Sequence, residues 1–165
     1  MRNLDWEINV DNITDWVSLW FYGDQHFGAS ACAVDKMKQT IAAIQADPLA
    51  YCILMGDCCD FVNFTDKRFD VKSISPEFVD KIDDLPHATA DAFVELHRPI
   101  AKKIIGLIPG NHDEKIRLRY HFDVAGYIAG CLDVPYLACM AQLRIRVKQN
   151  INAPTRTNRS FMVEG

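Results

Sequence analysis

Three short clusters hold the side chains that could do chemistry: Asp24-Gln-His26, Gly56-Asp-Cys-Cys-Asp60 and Gly110-Asn-His-Asp113. Carboxylate, imidazole and amide oxygen together suit divalent ions of borderline hardness such as Mn²⁺, Fe²⁺ or Zn²⁺. In an extended Asp24-Gln25-His26 the side chains at i and i+2 point the same way, so both can grip one ion. Gly56 allows a sharp turn ahead of Asp57, whose two carboxylate oxygens can bridge two ions. Pro109-Gly110 makes a similar turn and presents the Asn111 amide oxygen as a neutral ligand.

Each cluster stands directly after an apolar run. Trp16–Tyr22, Tyr51–Met55 and Lys103–Ile108 are short, rich in β-formers and continuous, as strands buried on both faces are. Ser30 can cap a helix running through Ala46, with Val34, Met37, Ile41 and Ile44 on one face. A second helix is expected over Thr89–Lys102, kinked or split by Pro99, and a third over Glu114–His121. The stretch Phe61–Pro86 reads as a long irregular connection, and Leu143–Val147 as a half-exposed strand. Alternating strands and helices indicate an α/β class with a largely parallel sheet. In such sheets ligands collect beyond the carboxyl ends of the strands. The clusters can therefore converge although 33 positions separate Asp24 from Asp57 and 54 separate Asp57 from Asn111.

In order and in residue type, the three clusters resemble the D-x-H, G-D-x-x-D and G-N-H-[DE] blocks of the calcineurin-like metallophosphoesterases. The resemblance implies an α-β-β-α sandwich with a second sheet, which the alternation of elements does not itself predict. It also implies two divalent ions, Mn²⁺ foremost, with Asp24 and His26 on the first, Asp57 bridging and Asn111 on the second. His112 is then the catalytic histidine, oriented by Asp113, while Asp60 holds its loop. The implied activity is phosphoester hydrolysis. The long insertion after Asp57 and the run leading to Asn111 resemble bacterial and phage members related to DNA-repair nucleases. That points to a phosphodiesterase, with nucleic acid as a candidate substrate. Alternatives are a phosphomonoesterase or protein phosphatase of the same family, and a non-catalytic metal-binding or scaffold module.

The family completes its site with later histidines that have no counterpart here, since beyond His112 the sequence holds only His121. The expectation is one metallophosphoesterase domain over residues 1–165, incomplete at its carboxyl end and interrupted before the next metal-binding histidine.

The remaining residues set limits. With 49% hydrophobic and 24% charged residues the chain has a globular composition. Asp5, Glu7, Asp11 and Asp15 stand where a signal peptide would carry a basic and then an apolar stretch, so a cytoplasmic protein without a membrane partner is expected. The six cysteines form no C-x-x-C pair and read as small core residues. His87 and His97 read as surface groups or supports near the site, and Trp6, Trp16 and Trp20 as core. Residues 1–114 carry 10 basic and 19 acidic side chains, and residues 115–165 carry 8 and 3. Arg144, Arg146 and Lys148 alternate on one strand face; exposed solvation is the plainer reading and phosphate contact the sharper one.

Overall fold

The computed structural model describes residues 2–12, 14–60 and 70–150, together with the backbone of the strand at 158–164. The elements among them are β1 (Arg2–Val10), β2 (Ser18–Tyr22), α1 (Val34–Ala46), β3 (Ala50–Leu54), α2 (Leu85–His97), β4 (Ile104–Leu107), α3 (Asn111–Tyr120), α4 (Val124–Leu132), β5 (Ala141–Gln149) and β6 (Asn158–Glu164). Three 3₁₀ segments join them, at Val71–Ser73, Pro76–Asp84 and Arg98–Lys103.

The three apolar runs form one parallel sheet in the order β2-β3-β4. Tyr22 lies opposite Leu54, and Leu54 opposite Leu107, so the three strands end nearly abreast and release their loops at one edge. One face of this sheet takes the helices. Met37, Ile41 and Ile44 of α1, Phe93 of α2 and Ile128 of α4 join Cys52, Leu54, Ile104 and Leu107 in a single core. The other face is covered by a second sheet, β1-β5-β6, in which β1 and β5 are parallel and β5 and β6 antiparallel. Ile53 and Ile105 meet Ile8, Val10, Leu143 and Ile145 between the sheets. Each fully buried side chain of this size stabilises by roughly 1.5–3 kcal/mol, so both faces contribute to holding the sheet.

The result is mixed α/β: helices, a parallel sheet, then a second sheet. The outward-pointing Asn3, Asp5, Glu7 and Asn9 of β1 are all exposed, so among the described residues no second helical layer covers that face. Asp5 and Glu7 occupy Arg144, Arg146 and Lys148. Arg144 and Arg146 reach Asp5 at 3.7 and 3.2 Å, and Lys148 pairs with Glu7. The cross-strand register thus supplies acidic partners that the alternation in β5 alone did not reveal.

Other expectations are adjusted by local physics. α1 starts at Val34 with Ala33 at the cap position and no side-chain cap, so Ser30 does not cap it. α2 ends at His97 and continues as a 3₁₀ segment containing Pro99, which is the expected split. Of the 61–86 connection, residues 61–69 lie outside the described residues, and the remainder carries the first two 3₁₀ segments and the start of α2. Gly165 is also outside them. Trp16 precedes β2 and is 89% exposed, and Trp20 is 39% exposed because β2 is an edge strand; of the three tryptophans only Trp6 packs against the inter-sheet core. No helix is long and apolar enough to cross a membrane.

Candidate metal centre

The loops leaving β2, β3 and β4 are tied to one another by backbone hydrogen bonds. Asp24 N–H donates to the Gly56 carbonyl at 3.1 Å, His26 N–H to Asp57 at 3.0 Å and Phe27 N–H to Cys58 at 3.0 Å. Asp60 N–H returns a bond to the Phe27 carbonyl at 3.0 Å. The first two loops therefore pair like a short strand extension, and Phe27 and Cys59 form an isolated parallel bridge.

The third loop closes against the second through glycine. A Cβ on Gly56, which has φ +80°, would stand 2.3 Å from Gly110 N; one on Gly110 would stand 2.0 Å from Asp57 Oδ1. The two glycines thus let two main chains approach until His112 N–H donates to Asp57 Oδ1 at 2.8 Å. That bond fixes one carboxylate oxygen of Asp57 at the amino end of α3, where an anion is favoured.

What converges is His26, Asp57 and His112, which offer one ligand atom each within 4.8 Å of one another. The two imidazoles meet edge to face at 4.6 Å between centroids. His26 Nδ1 is buried and without a hydrogen-bond partner. Asp57 is 8% exposed, and a buried carboxylate beside unpartnered imidazole nitrogen is costly unless something positive joins it. The imidazole of His26 and the carboxylate of Asp57 are donors that fit a divalent ion of the Mn²⁺, Fe²⁺ or Zn²⁺ type, and the His112 ring stands beside them.

The other expected residues lie around this group. Asp24 has its side chain 85% exposed, with Oδ1 4.0 Å from His26 Nε2, at the rim. Asn111 stands exposed at the first position of α3, next to the N–H that holds Asp57. Asp60 is more than a loop support. Its Oδ1 lies 3.1 Å from His112 Nδ1 and its Oδ2 3.5 Å from His26 Nδ1, so it faces both rings. A carboxylate accepts only, so the contact places the proton on His112 Nδ1 and turns Nε2 away from Asp60.

Asp113 does not take the expected position beside His112. It is 2% exposed, and its Oδ2 accepts from Gly110 N–H at 2.8 Å, closing the turn that precedes α3. Burial raises its carboxyl above the ordinary range, the Gly110 N–H opposes this, and the nearby Asp57 charge adds to it. Asp113 acts on the backbone of the turn, and Asp60 is the residue that orients His112. The only sequence signal for this was the last position of Gly56-Asp-Cys-Cys-Asp60.

Cys58 and Cys59 are fully buried, and burial pushes both thiols well above their usual range, which makes them core groups and not nucleophiles. Cys52 is buried too, Cys32 is half-buried, and Cys131 and Cys139 are exposed, so the core reading holds for only part of the set. His87 lies against Phe122 at 4.1 Å and contacts Asp84, away from these loops. His121 ends α3 in the left-handed conformation, with φ 54°. Comparison with protein-family models, with curated proteins and with solved structures finds no match to this chain.

Proposed function

We propose that this chain is a metal-dependent phosphoester hydrolase, in the first instance a phosphodiesterase. The observation that carries the reading is the meeting of His26, Asp57 and His112 at the carboxyl edge of β2-β3-β4, in loops whose glycines allow no side chain. His26 and Asp57 would hold the first ion together with Asp24, and Asp57 with Asn111 would hold a second. When bound, such ions polarise a phosphoryl oxygen and lower the pKa of water.

The chain's own residues then have separable tasks. The carboxylate of Asp57 is kept in place by the His112 N–H, so it cannot swing away from the ligand position. Asp60 keeps the proton of His112 on Nδ1 and leaves Nε2 to face the substrate side. From there a protonated ring can donate to a leaving oxygen, a step worth about 10²–10⁴-fold in rate. Asp113 holds the turn that aims Asn111 and His112.

The test is hydrolysis of bis(p-nitrophenyl) phosphate with Mn²⁺, with and without chelator, for the parent chain and Asp57→Asn. Activity that needs the ion and vanishes in Asp57→Asn supports the proposal; hydrolysis undiminished in excess chelator overturns it. Mn²⁺ binding at His26 without turnover of any aryl phosphoester would assign the chain to the non-catalytic alternative.

A further inference from the structure

Each of the two sheets ends in two edge strands, and three of these edges are protected. Residues 135–137 run beside β4, where Leu107 N–H donates to the Pro135 carbonyl at 2.9 Å and Leu137 N–H to the Leu107 carbonyl at 2.8 Å. β1 carries Arg2, Asp5 and Glu7, and β6 carries Arg159 and Glu164, charges of the kind that discourage pairing with another chain. β2 is the exception. Ser18-Leu-Trp-Phe-Tyr22 has no charge, proline or bulge, and among the described residues no strand pairs with its outer side.

Backbone and side chains both make this edge self-complementary. Ser18 N–H donates to the Leu49 carbonyl at 3.1 Å and the Tyr22 carbonyl accepts from Met55 N–H at 3.0 Å, so the even-numbered residues face β3. The N–H and C=O groups of Leu19 and Phe21 therefore point to the open side, as the alternation of a ladder requires. Exposed rings follow the same edge: Trp16 just before the strand, Trp20 within it, and Phe21, which is 55% exposed. An aromatic side chain buries about 150–250 Å² when covered, so the exposed parts of these three offer roughly 300–400 Å² per copy. That is close to half of the ~800 Å² per partner in a standard interface, before strand backbone and flanking loops are counted.

We propose that β2 pairs antiparallel with β2 of a second copy, joining the two three-stranded sheets across a twofold axis at Trp20. Leu19 and Phe21 of one copy then face Phe21 and Leu19 of the other as hydrogen-bonded pairs, and the two Trp20 residues form the closer, non-hydrogen-bonded pair. The edge needs a partner strand that is itself uncharged, unpaired and of the same length, and β2 meets each condition. Twofold pairing uses the same patch on both copies and closes at a dimer. Asp15 and Asp24 fall at the ends of the paired segment, outside its uncharged centre. The register also sets Trp16 of one copy opposite Asp24 of the other, so each copy adds a ring to the rim of its partner's candidate metal centre.

Sedimentation equilibrium of the full chain over a concentration series should show the mass rising from 18.7 kDa to twice that value and no further. The Leu19 and Phe21 amides should exchange with solvent more slowly as the dimer fills, while the Trp20 amide, which faces β3, stays protected throughout. Because Trp20 opposes itself, Trp20→Lys and Trp20→Glu should each be monomeric and should form a heterodimer when mixed. Trp16→Ser, outside the strand, should weaken association at least about tenfold without altering the thermal unfolding of the monomer. Leu118→Ser, at an exposed residue of α3, should leave association as it was. A monomer at every concentration would leave the edge to a strand of another protein and overturn the pairing. Growth beyond a dimer, association undiminished in Trp20→Lys, or an equal loss in Leu118→Ser would overturn it too.

Discussion

A buried histidine, His97, should contribute to destabilising this fold in acid. The ring is 0% exposed, at the end of α2, stacked on Phe93 at 4.0 Å and 21°, with Tyr22 at 5.7 Å on another side. Its Nδ1–H donates to the Phe93 carbonyl at 2.9 Å, and its Nε2 is buried without a partner. Burial lowers its pKa to about 4, partly offset by the Phe93 bond, from 6.5 in the unfolded chain. A base whose folded pKa is depressed binds more protons when unfolded, so stability is intact above pH 6.5, falls as pH drops to about 4, and then levels. At 1.36 kcal/mol per unit the full window amounts to about 3 kcal/mol, and by pH 5 the loss is about 2 kcal/mol. Asp113 acts in the opposite sense, because its raised carboxyl favours the protonated folded state as pH falls. The measurement is therefore a difference: urea unfolding at pH 7.5 and pH 5 for the parent and for His97→Phe, which keeps the stacked ring and removes the titration. The parent should lose about 2 kcal/mol more than the variant. Equal losses, or a His97 ring that titrates near 6.5 by NMR, would refute the reasoning.

Gly110→Ala should abolish Mn²⁺ binding, since its Cβ would lie 2.0 Å from Asp57 Oδ1; isothermal titration checks this, and an unaltered affinity would contradict the packed-loop account. Gly130→Ala is the matched control: nothing lies within 4 Å of that Cβ in α4, so thermal unfolding should show a gain of about 0.5–1 kcal/mol. His112→Ala should lower turnover about 10²-fold or more while metal affinity holds, and loss of the metal instead would make His112 a ligand. Asp60→Asn should release the His112 proton from Nδ1, read as a changed tautomer ratio in the ¹⁵N spectrum of the ring; an unaltered ratio would remove Asp60 from its orienting role.

The central sheet was legible because β3 and β4 are buried on both faces, and continuous apolar runs such as Ile104-Ile-Gly-Leu107 have few other uses. Their shared carboxyl edge followed from the topology of parallel strands. β1 was not legible. Its inward Leu4, Trp6, Ile8 and Val10 alternate with charged or amide residues, and its partner β5 lies more than 130 positions away. α4 was missed for the opposite reason. Val124–Leu132 is apolar around most of its circumference and so lacks the one-sided pattern that marked α1. The exchange of roles between Asp60 and Asp113 lay beyond sequence reasoning. Both stand near His112 along the chain or across the loops, and only the turn at Gly110 decides which carboxylate is drawn back to the main chain.

Backbone strain distinguishes the candidate centre from an accidental meeting of polar side chains. Six non-glycine residues have positive φ among those described, and three of them are Asp24, His26 and Asp57, at 54°, 47° and 49°. A left-handed conformation costs such a residue on the order of 1 kcal/mol, and surface loops ordinarily avoid it by placing glycine there. Gly28 and Gly56 do take that role in the same two loops, at φ +100° and +80°, so glycine was not excluded by the geometry. Side chains have instead been kept at three strained positions, and the cross-loop bonds from Asp24, His26 and Phe27 hold them there. The contacts of His112 with Asp57 and Asp60 hold part of this group together, yet His26 Nδ1 stays buried without a hydrogen-bond partner. Strain, burial and unmet hydrogen-bonding capacity thus all fall on one group of residues, and a bound cation relieves the last two at once.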